Sequence, residues 1–194
     1  MNRRALLTGM VTTVATTLAL GGCLRPEYRT ALLDETGTGS VGAAYSLAAG
    51  DKLRVIVFGQ DNLSNIYAVD GAGRIALPLI GPVKVAGGST AQAARAIEAR
   101  LRDGFVREPH VTVEVEVYRP FFILGEVTTS GQYPYVSGMT VETAVAIAAG
   151  FGPRAARDYA VVTREGPTGL VSGIVPMTYP VRPGDTIVVK ERWF

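Results

Sequence analysis

Residues 111–117 read Val111-Thr112-Val113-Glu114-Val115-Glu116-Val117, an alternation of valine with polar side chains. Successive side chains of a β-strand point to opposite faces of its sheet, so the alternation predicts a strand with one buried face and one face in water. A parallel strand covered on both faces would not carry glutamate at alternate positions. The stretch therefore favours a strand with one buried and one exposed face over a parallel strand buried on both.

A helix is predicted just before this strand. Ser89 is a candidate N-cap with Gln92 three residues later, which is the spacing of a capping box. Gly104 suits the left-handed residue that follows a helix. The predicted apolar face consists of Ala94, Ile97 and Leu101.

A second helix is predicted from a cap at Thr140 to Ala149, with Gly150 as its stop. Its apolar face would be formed by Val141, Ala144, Val145 and Ala148. β-rich runs separated by glycine and proline turns surround both helices. They cover residues 53–58, 67–70, 74–79, 121–127, 160–164, 170–175 and 186–190, with 160–164 and 170–175 forming a hairpin.

Composition changes at Tyr118-Arg119-Pro120, where we place a domain boundary. The dipeptide Gly-Asp opens a β-rich run on each side of it, at Gly50-Asp51 and at Gly184-Asp185. Gly-Asp is a common turn dipeptide, so two matches do not prove a repeat. The pattern alone predicts two small α+β units, each with one helix against a short mixed sheet.

The amino-terminal residues have the features of a secretory leader. Arg3 and Arg4 precede an apolar run from Ala5 to Leu20, and small residues precede Cys23, the only cysteine of the chain. A membrane-spanning helix is the weaker interpretation, because it needs about 20 largely apolar residues and this run is shorter and contains five threonines. A disulfide at Cys23 would require a second chain.

The ending Leu20-Gly21-Gly22-Cys23 resembles the lipobox of bacterial lipoproteins. This resemblance implies that residues 1–22 are a lipoprotein signal peptide and that Cys23 carries diacylglyceride and a further acyl chain such as palmitate. Inner-membrane lipoproteins commonly have aspartate after the cysteine, so Leu24 favours the outer membrane of a Gram-negative bacterium. Residues 23–44 lack periodicity and are predicted to be a lipidated tether.

Charge gives no support for nucleic-acid binding. The chain has 19 basic and 17 acidic residues, and removing Arg3 and Arg4 with the leader leaves 17 of each sign. A nucleic-acid surface needs clustered basic residues, so no nucleic-acid partner is expected. The hydrophobic fraction of 47% is ordinary for a globular chain.

Several motifs after Tyr45 stand in the order typical of one protein family. They are Asp61-Asn62-Leu63-Ser64, residues 67–70, Leu77-Pro78-Leu79-Ile80-Gly81, residues 119–127, Gly131-Gln132-Tyr133-Pro134-Tyr135, Gly138-Met139-Thr140-Val141, and residues 183–187 with 191–194. Together they resemble the outer-membrane polysaccharide export protein family. One departure is Ala49 before Gly50-Asp51, where the family usually has proline.

The resemblance implies a polysaccharide-export domain over residues 45–118, a soluble-ligand-binding β-grasp (SLBB) domain over residues 119–191, and a tail at 192–194. Family members form homo-oligomeric rings in the periplasm. They carry capsular polysaccharide or exopolysaccharide from an inner-membrane polysaccharide copolymerase to the outer membrane. Long members end in an amphipathic helix that lines the outer-membrane pore, whereas this sequence stops at Phe194. We therefore expect a short form, held by its lipid, that docks on a separate outer-membrane β-barrel.

Four family-motif residues are candidates for the oligomer interface. Arg119 and Glu126 could pair across a subunit seam, although an isolated surface pair would contribute only about 0–1 kcal/mol. Phe121, Phe122 and Tyr133 could stack on sugar rings as amphipathic surfaces. Packing of the β-grasp core, or of one subunit on the next, is the simpler interpretation of all three aromatic residues.

Two further groups have more than one interpretation. Trp193 and Phe194 could contact the β-barrel partner, or they could fold back on the last strand. Glu114 and Glu116 could line a channel for glycan, although a solvated strand face is the simpler interpretation of an alternating strand.

No residue pattern indicates catalysis. The sole histidine, His110, lies beside Pro109 at the start of a strand, so the sequence offers neither a Ser-His-Asp set nor a histidine cluster for a metal. A glycosidase needs only two carboxylates, but no acidic pair stands in a recognisable motif. We expect no enzyme activity and no cofactor besides the covalent lipid on Cys23. The alternative function is a lipid-anchored sugar-binding or scaffolding module of the envelope without translocation.

Overall fold

The structure is a computed structural model that describes residues 45–166 and 169–192. The leader, Cys23, the tether, the tip of the predicted hairpin at residues 167–168, and Trp193 and Phe194 lie outside the described residues. The described chain is α+β, as predicted, and has two separate hydrophobic cores. We call the part around the amino-terminal core the first unit and the part around the other core the second unit.

The first unit contains a three-stranded sheet, a hairpin and one α-helix. Its elements are β1 (Lys52–Val57), a 3-10 helix (Asp61–Leu63), β2 (Asn65–Ala68), β3 (Arg74–Leu77), β4 (Gly81–Lys84), α1 (Thr90–Arg102) and β5 (Val111–Val117). β1 lies between β2 and β5 and is antiparallel to both, while β3 and β4 form the separate hairpin. Our prediction of a mixed sheet is wrong here. A parallel neighbour needs a crossover of a dozen or more residues, and the β1–β2 connection is too short for one.

The valine face of β5 is buried only in its first half. The register with β1 shifts between Leu53, which faces Val115, and Lys52, which faces Val117, so Glu116 is an additional residue on β5. A β-bulge of this kind disrupts the ladder and bends the strand. Val117 is accordingly 46% exposed rather than buried as predicted.

Helix α1 has the predicted cap and stop. The Ser89 hydroxyl accepts a hydrogen bond from the Gln92 N–H at 3.3 Å, and the Gln92 side chain accepts one from the Ser89 N–H at 2.8 Å. Gly104, with φ of 89°, directly follows the C-cap residue Asp103. The buried face is Ala93, Ile97 and Leu101, with the predicted Ala94 only partly buried.

The second unit is a single mixed sheet with one helix on one face. Its elements are β6 (Phe121–Gly125), β7 (Gly131–Tyr133), α2 (Val141–Ile147), β8 (Tyr159–Gly166), β9 (Gly169–Pro176) and β10 (Thr186–Val189). The strand order is β7-β6-β10-β8-β9, with β10 parallel to β6 and every other pair antiparallel. A last strand inserted between two hairpins, with the helix across them, is the β-grasp arrangement.

Helix α2 is shorter than predicted. Thr140 forms the predicted cap, in a capping box with Thr143. The helix ends at Ile147 because Ala149 and Gly150 have φ of 64° and 92°, in the left-handed region that stops a helix. All four predicted apolar residues of α2 are buried.

Two short strands were not predicted. β4 contains Pro82, which lacks a backbone N–H and so lowers the strand signal, but β4 pairs with β3 alone in the described part of the chain. β7 has three residues and, among residues 45–166 and 169–192, pairs only with β6. Both strands depend on a partner elsewhere in the chain, which local pattern does not reveal.

Candidate functional site at the junction of the two units

The connection between the two units places Arg119 against the turn that precedes β1. Asp51 in this turn is fully buried. Its carboxylate accepts hydrogen bonds from the N–H groups of Ala48 and Arg119, each at 2.9 Å, and from the Tyr45 hydroxyl, 2.8 Å from both carboxylate oxygens. Burying a charged carboxylate is costly unless it is paired and hydrogen-bonded. Here the donors come from both sides of the junction.

The Arg119 guanidinium completes a group that we call the junction cluster (Tyr45, Asp51 and Arg119). Its Nη1 lies 3.0 Å from the Tyr45 hydroxyl oxygen and 3.7 Å from Asp51 Oδ2, and its Cζ lies 5.8 Å from the centre of the Tyr45 ring. The Arg119 side chain is 24% exposed. A positive charge at the edge of the cluster therefore balances the negative charge inside it.

Tyr45 remains protonated in this environment. Burial raises the pKa of the Tyr45 hydroxyl well above its usual 10.0, and the hydrogen bond to Asp51 and the negative charge of Asp51 raise it further. The charge of Arg119 acts in the opposite direction with a smaller effect. The hydroxyl is therefore a donor to Asp51 at physiological pH.

Three tyrosine rings connect the units. The ring centres of Tyr45 and Tyr118 are 4.9 Å apart with an interplanar angle of 84°, and those of Tyr118 and Tyr135 are 5.4 Å apart at 74°. Edge-to-face contact is a preferred geometry of aromatic pairs and contributes about 0.5–1.5 kcal/mol beyond area burial. Burial also raises the pKa of the Tyr135 hydroxyl.

The two predicted phenylalanines lie on opposite faces of β6. Phe121 is fully buried in the core of the second unit, and its ring stacks on Tyr133 with the centres 6.0 Å apart. Phe122 is 40% exposed on the other face. Phe121 thus has no surface to offer a sugar or a neighbouring chain. An interface or sugar contact at Phe122 stays a prediction.

Arg119 and Glu126 have different partners within the chain. Arg119 belongs to the junction cluster, whereas Glu126 Oε1 lies 3.7 Å from Arg154 Nη2. The same Arg154 nitrogen is 3.0 Å from Glu191 Oε1. Pairing of Arg119 or Glu126 across a subunit seam remains a prediction.

The face of the second sheet that points away from α2 has two ordered rows of side chains. No faces were assigned to these strands from the sequence, and the rows follow from the strand order and register. Across β6, β10, β8 and β9, one row consists of Leu124, Val188, Val161 and Ile174, and the next of Phe122, Thr186, Thr163 and Ser172. The second row thus combines an exposed aromatic ring with three hydroxyl groups.

The glutamates of β5 are exposed on the outer face of the first sheet. Glu116 Oε2 accepts a hydrogen bond from Arg54 Nε at 2.9 Å and forms an ion pair with Arg54 Nη2 at 2.8 Å. Glu114 is on the same exposed face. Both side chains form a solvated strand face within the chain. A role in lining a channel would depend on other subunits and stays a prediction.

Residues 45–166 and 169–192 contain no group of histidine, cysteine, aspartate and glutamate side chains that could hold a metal ion. Within the same residues, no helix combines the length and the apolar character needed to cross a membrane.

Two protein-family models match the chain in succession. The model described as polysaccharide biosynthesis/export protein matches residues 40–116, and that of the SLBB domain matches residues 120–175. The chain belongs to the polysaccharide export protein family. The three residues between the two matches are 117–119, so Arg119 lies directly before the SLBB match. The family is one of export proteins rather than enzymes.

Two curated relatives are similar to this chain over part of their length. The exopolysaccharide production protein ExoF of Rhizobium meliloti (strain 1021) is 34% identical over 132 residues, which cover 59% of this chain and 31% of that protein. The polysialic acid transport protein KpsD of Escherichia coli is 27% identical over 124 residues, which cover 63% of this chain and 22% of that protein. The chain therefore matches less than a third of each relative.

Proposed function

We propose that this chain is a periplasm-facing outer-membrane lipoprotein that forms a ring of identical subunits and exports capsular polysaccharide or exopolysaccharide. The observation that carries the proposal is the order of its parts. A lipobox-like sequence ending at Cys23 precedes a polysaccharide export unit and then an SLBB unit, and both units are formed in the structure. Envelope polysaccharide export is the process in which this combination is expected.

The lipid at Cys23 is the proposed membrane attachment. Each buried methylene contributes about 0.8 kcal/mol to membrane binding, and two or more long chains are needed for a stable anchor. A diacylglyceride with a further acyl chain meets that requirement.

Polysaccharide is the proposed cargo, and the names of the relatives support this class. One is called an exopolysaccharide production protein and the other a polysialic acid transport protein. The proposed partners are an inner-membrane polysaccharide copolymerase that delivers the polymer and an outer-membrane β-barrel on which the ring docks. The chain itself acts as a conduit and is not an enzyme in this proposal.

The first experiment replaces the lipidated residue. Cys23→Ser should move the protein from the outer-membrane fraction to the soluble periplasmic fraction, whereas the matched leader variant Thr16→Ser should leave it in the membrane. Cys23→Ser protein that remains fully membrane-associated would overturn lipid anchoring. Native mass measurement of the detergent-extracted parent should give an integral number of subunits in one closed species, and a monomer would contradict the ring.

A second function has support from the open face of the second sheet. Phe122 and the hydroxyl row of Thr186, Thr163 and Ser172 resemble a sugar-contacting surface, because an aromatic face stacks on sugar rings and hydroxyls donate and accept hydrogen bonds. A lipid-anchored scaffold could use such a surface without translocation.

The two functions differ in the phenotype of a deletion strain. Polymer that is synthesised but retained inside the envelope supports export. Normal secretion with altered attachment of the polymer at the cell surface supports the scaffold, and would overturn export by this chain.

A further inference from the structure

The Arg119 side chain lies between two turns that belong to different units. A Cβ built on Gly50, in the turn before β1, would lie 3.4 Å from Arg119 Cβ, and one built on Gly184, in the turn before β10, would lie 2.6 Å from Arg119 Nε. The second distance is shorter than real Cβ contacts allow. The absence of a side chain at Gly184 therefore leaves the space in which the Arg119 side chain extends towards Asp51.

The backbone around Arg119 is fixed on the same two sides. The Arg119 N–H donates to Asp51 of the first unit at 2.9 Å, and the adjacent Pro120 carbonyl accepts from the Gly184 N–H of the second unit at 3.0 Å. Hydrogen bonds of this kind are directional. Rotation of one unit relative to the other would break at least one of them.

We propose that Arg119 is a positioning residue that holds the two units at one relative orientation, by occupying the space between the Gly50-Asp51 and Gly184-Asp185 turns. Separation of the units would remove the Arg119 N–H donor and the positive charge of the Arg119 guanidinium from a carboxylate that is fully buried. It would also open the edge-to-face contacts of Tyr118 with Tyr45 and Tyr135. The units therefore behave as one rigid body. This inference rests on the contacts of one chain and does not depend on what the chain exports.

The test measures the distance between the two units in solution. Spin labels are attached to Ala91→Cys on α1 and Ala146→Cys on α2, both exposed positions, in the full mature chain carrying Cys23→Ser. Labelled chains are diluted with unlabelled chains so that only distances within one chain contribute. Double electron–electron resonance of this parent should give one narrow distance distribution.

Arg119→Met should at least double the width of that distribution, because it removes the guanidinium and leaves a side chain of similar length. Arg54→Met is the matched control, since it removes an exposed arginine–glutamate pair of the first sheet that makes no hydrogen bond or ion pair with the junction cluster. The control should keep the width of the parent. A folded Arg119→Met protein with the parent distribution would overturn the proposal.

A second variant keeps the test decisive if Arg119→Met does not fold. Tyr45→Phe removes only the hydroxyl that contacts both Asp51 and Arg119. It should broaden the distribution less than Arg119→Met does. No broadening with Tyr45→Phe, in the absence of a folded Arg119→Met protein, would also overturn the proposal.

Discussion

The Gly50-Asp51 and Gly184-Asp185 turns have the same construction. In each, a glycine with positive φ, 91° and 85° respectively, precedes an aspartate that is fully buried. Each carboxylate accepts a hydrogen bond from the N–H three residues earlier, from Ala48 at 2.9 Å and from Arg182 at 2.7 Å. The two Gly-Asp dipeptides are thus one structural motif used twice.

The two turns differ in the origin of the arginine that pairs with the aspartate. Asp185 is bound by Arg164 of β8, in the same sheet, with distances of 2.8 Å from Nε and 2.7 Å from Nη2 to its two oxygens. Asp51 is bound by Arg119 from the connection to the other unit, at 3.7 Å. In both turns the guanidinium lies over a tyrosine six residues before the aspartate, Tyr179 or Tyr45. The same motif therefore stabilises a single unit when its arginine comes from that unit, and joins two units when its arginine comes from the connection between them.

Arg164→Met should have the largest effect on stability. The Arg164 side chain is only 14% exposed. Burial acts to lower the pKa of Arg164, but the hydrogen bond and charge of Asp185, together with smaller effects of Tyr179, outweigh it and the net pKa is raised. Removing the cation leaves a buried carboxylate without its ion partner, which costs about 3–5 kcal/mol. Urea unfolding followed by circular dichroism measures the loss.

The matched control for Arg164→Met is Arg157→Met, because Arg157 is an exposed arginine of the same unit that lies over Phe151. Arg157→Met should change the free energy of unfolding by no more than about 0.5 kcal/mol. A loss below about 1 kcal/mol for Arg164→Met would mean that Asp185 does not depend on this pair.

Arg119→Met should cost less, about 1–3 kcal/mol. Its contact with Asp51 is longer than that of Arg164 with Asp185, and Asp51 keeps the N–H donors of Ala48 and residue 119 and the Tyr45 hydroxyl. The unfolding curve should also separate into two transitions, because the Arg119 guanidinium joins one unit to the other. Equal losses for Arg119→Met and Arg164→Met would contradict the difference that we draw between the two turns.

Local signals in the sequence predicted the local structure. The cap of α1 was predicted from the Ser89–Gln92 spacing, and the cap of α2 from Thr140 at the start of a helical apolar pattern. The alternation of β5 was predicted because side chains alternate along a strand. The burial of Val117 was predicted wrongly because the bulge at Glu116 depends on pairing with β1. The β4 and β7 strands were missed for the same reason.

The candidate site was predicted only in part. Arg119 was identified from the family motif, and the two Gly-Asp dipeptides were visible in the sequence. The contact of Arg119 with Asp51 joins residues 68 positions apart, and that of Arg164 with Asp185 joins residues 21 positions apart. Neither contact follows from the periodicity of a helix or a strand, because the paired residues lie in different elements far apart in the sequence. A tyrosine six residues before each Gly-Asp aspartate is the signal that could have shown the motif to be repeated.

Gly184→Ala should be more destabilising than Gly50→Ala. Both glycines have positive φ, where alanine costs about 1–2 kcal/mol. A methyl group at Gly184 would also displace the Arg119 guanidinium, whereas one at Gly50 would meet only ordinary contact. Urea unfolding of the two variants measures the difference, and combining each with Arg119→Met should remove it. If Gly184→Ala remained more destabilising than Gly50→Ala in the Arg119→Met background, the methyl group at position 184 would clash with a group other than the Arg119 side chain.

Tyr45→Phe should have the smallest effect at neutral pH, about 1 kcal/mol, because Asp51 keeps the N–H donors of Ala48 and Arg119 and the Arg119 charge. It should have a distinct effect in alkali. Burial first, then the hydrogen bond to Asp51 and its charge, hold the pKa of Tyr45 in the folded chain above the usual 10.0. A group whose pKa is higher in the folded than in the unfolded state stabilises the folded state. This stabilisation is complete at pH values below the pKa of the unfolded state, and it is lost as pH rises towards the pKa of the folded state. The free energy of unfolding of the parent should therefore fall more steeply than that of Tyr45→Phe above about pH 10. If the free energy of unfolding had the same pH dependence in both proteins through this range, Asp51 would not hold the Tyr45 hydroxyl proton. The contact between Asp51 and Arg119 would then not depend on the Tyr45 hydroxyl.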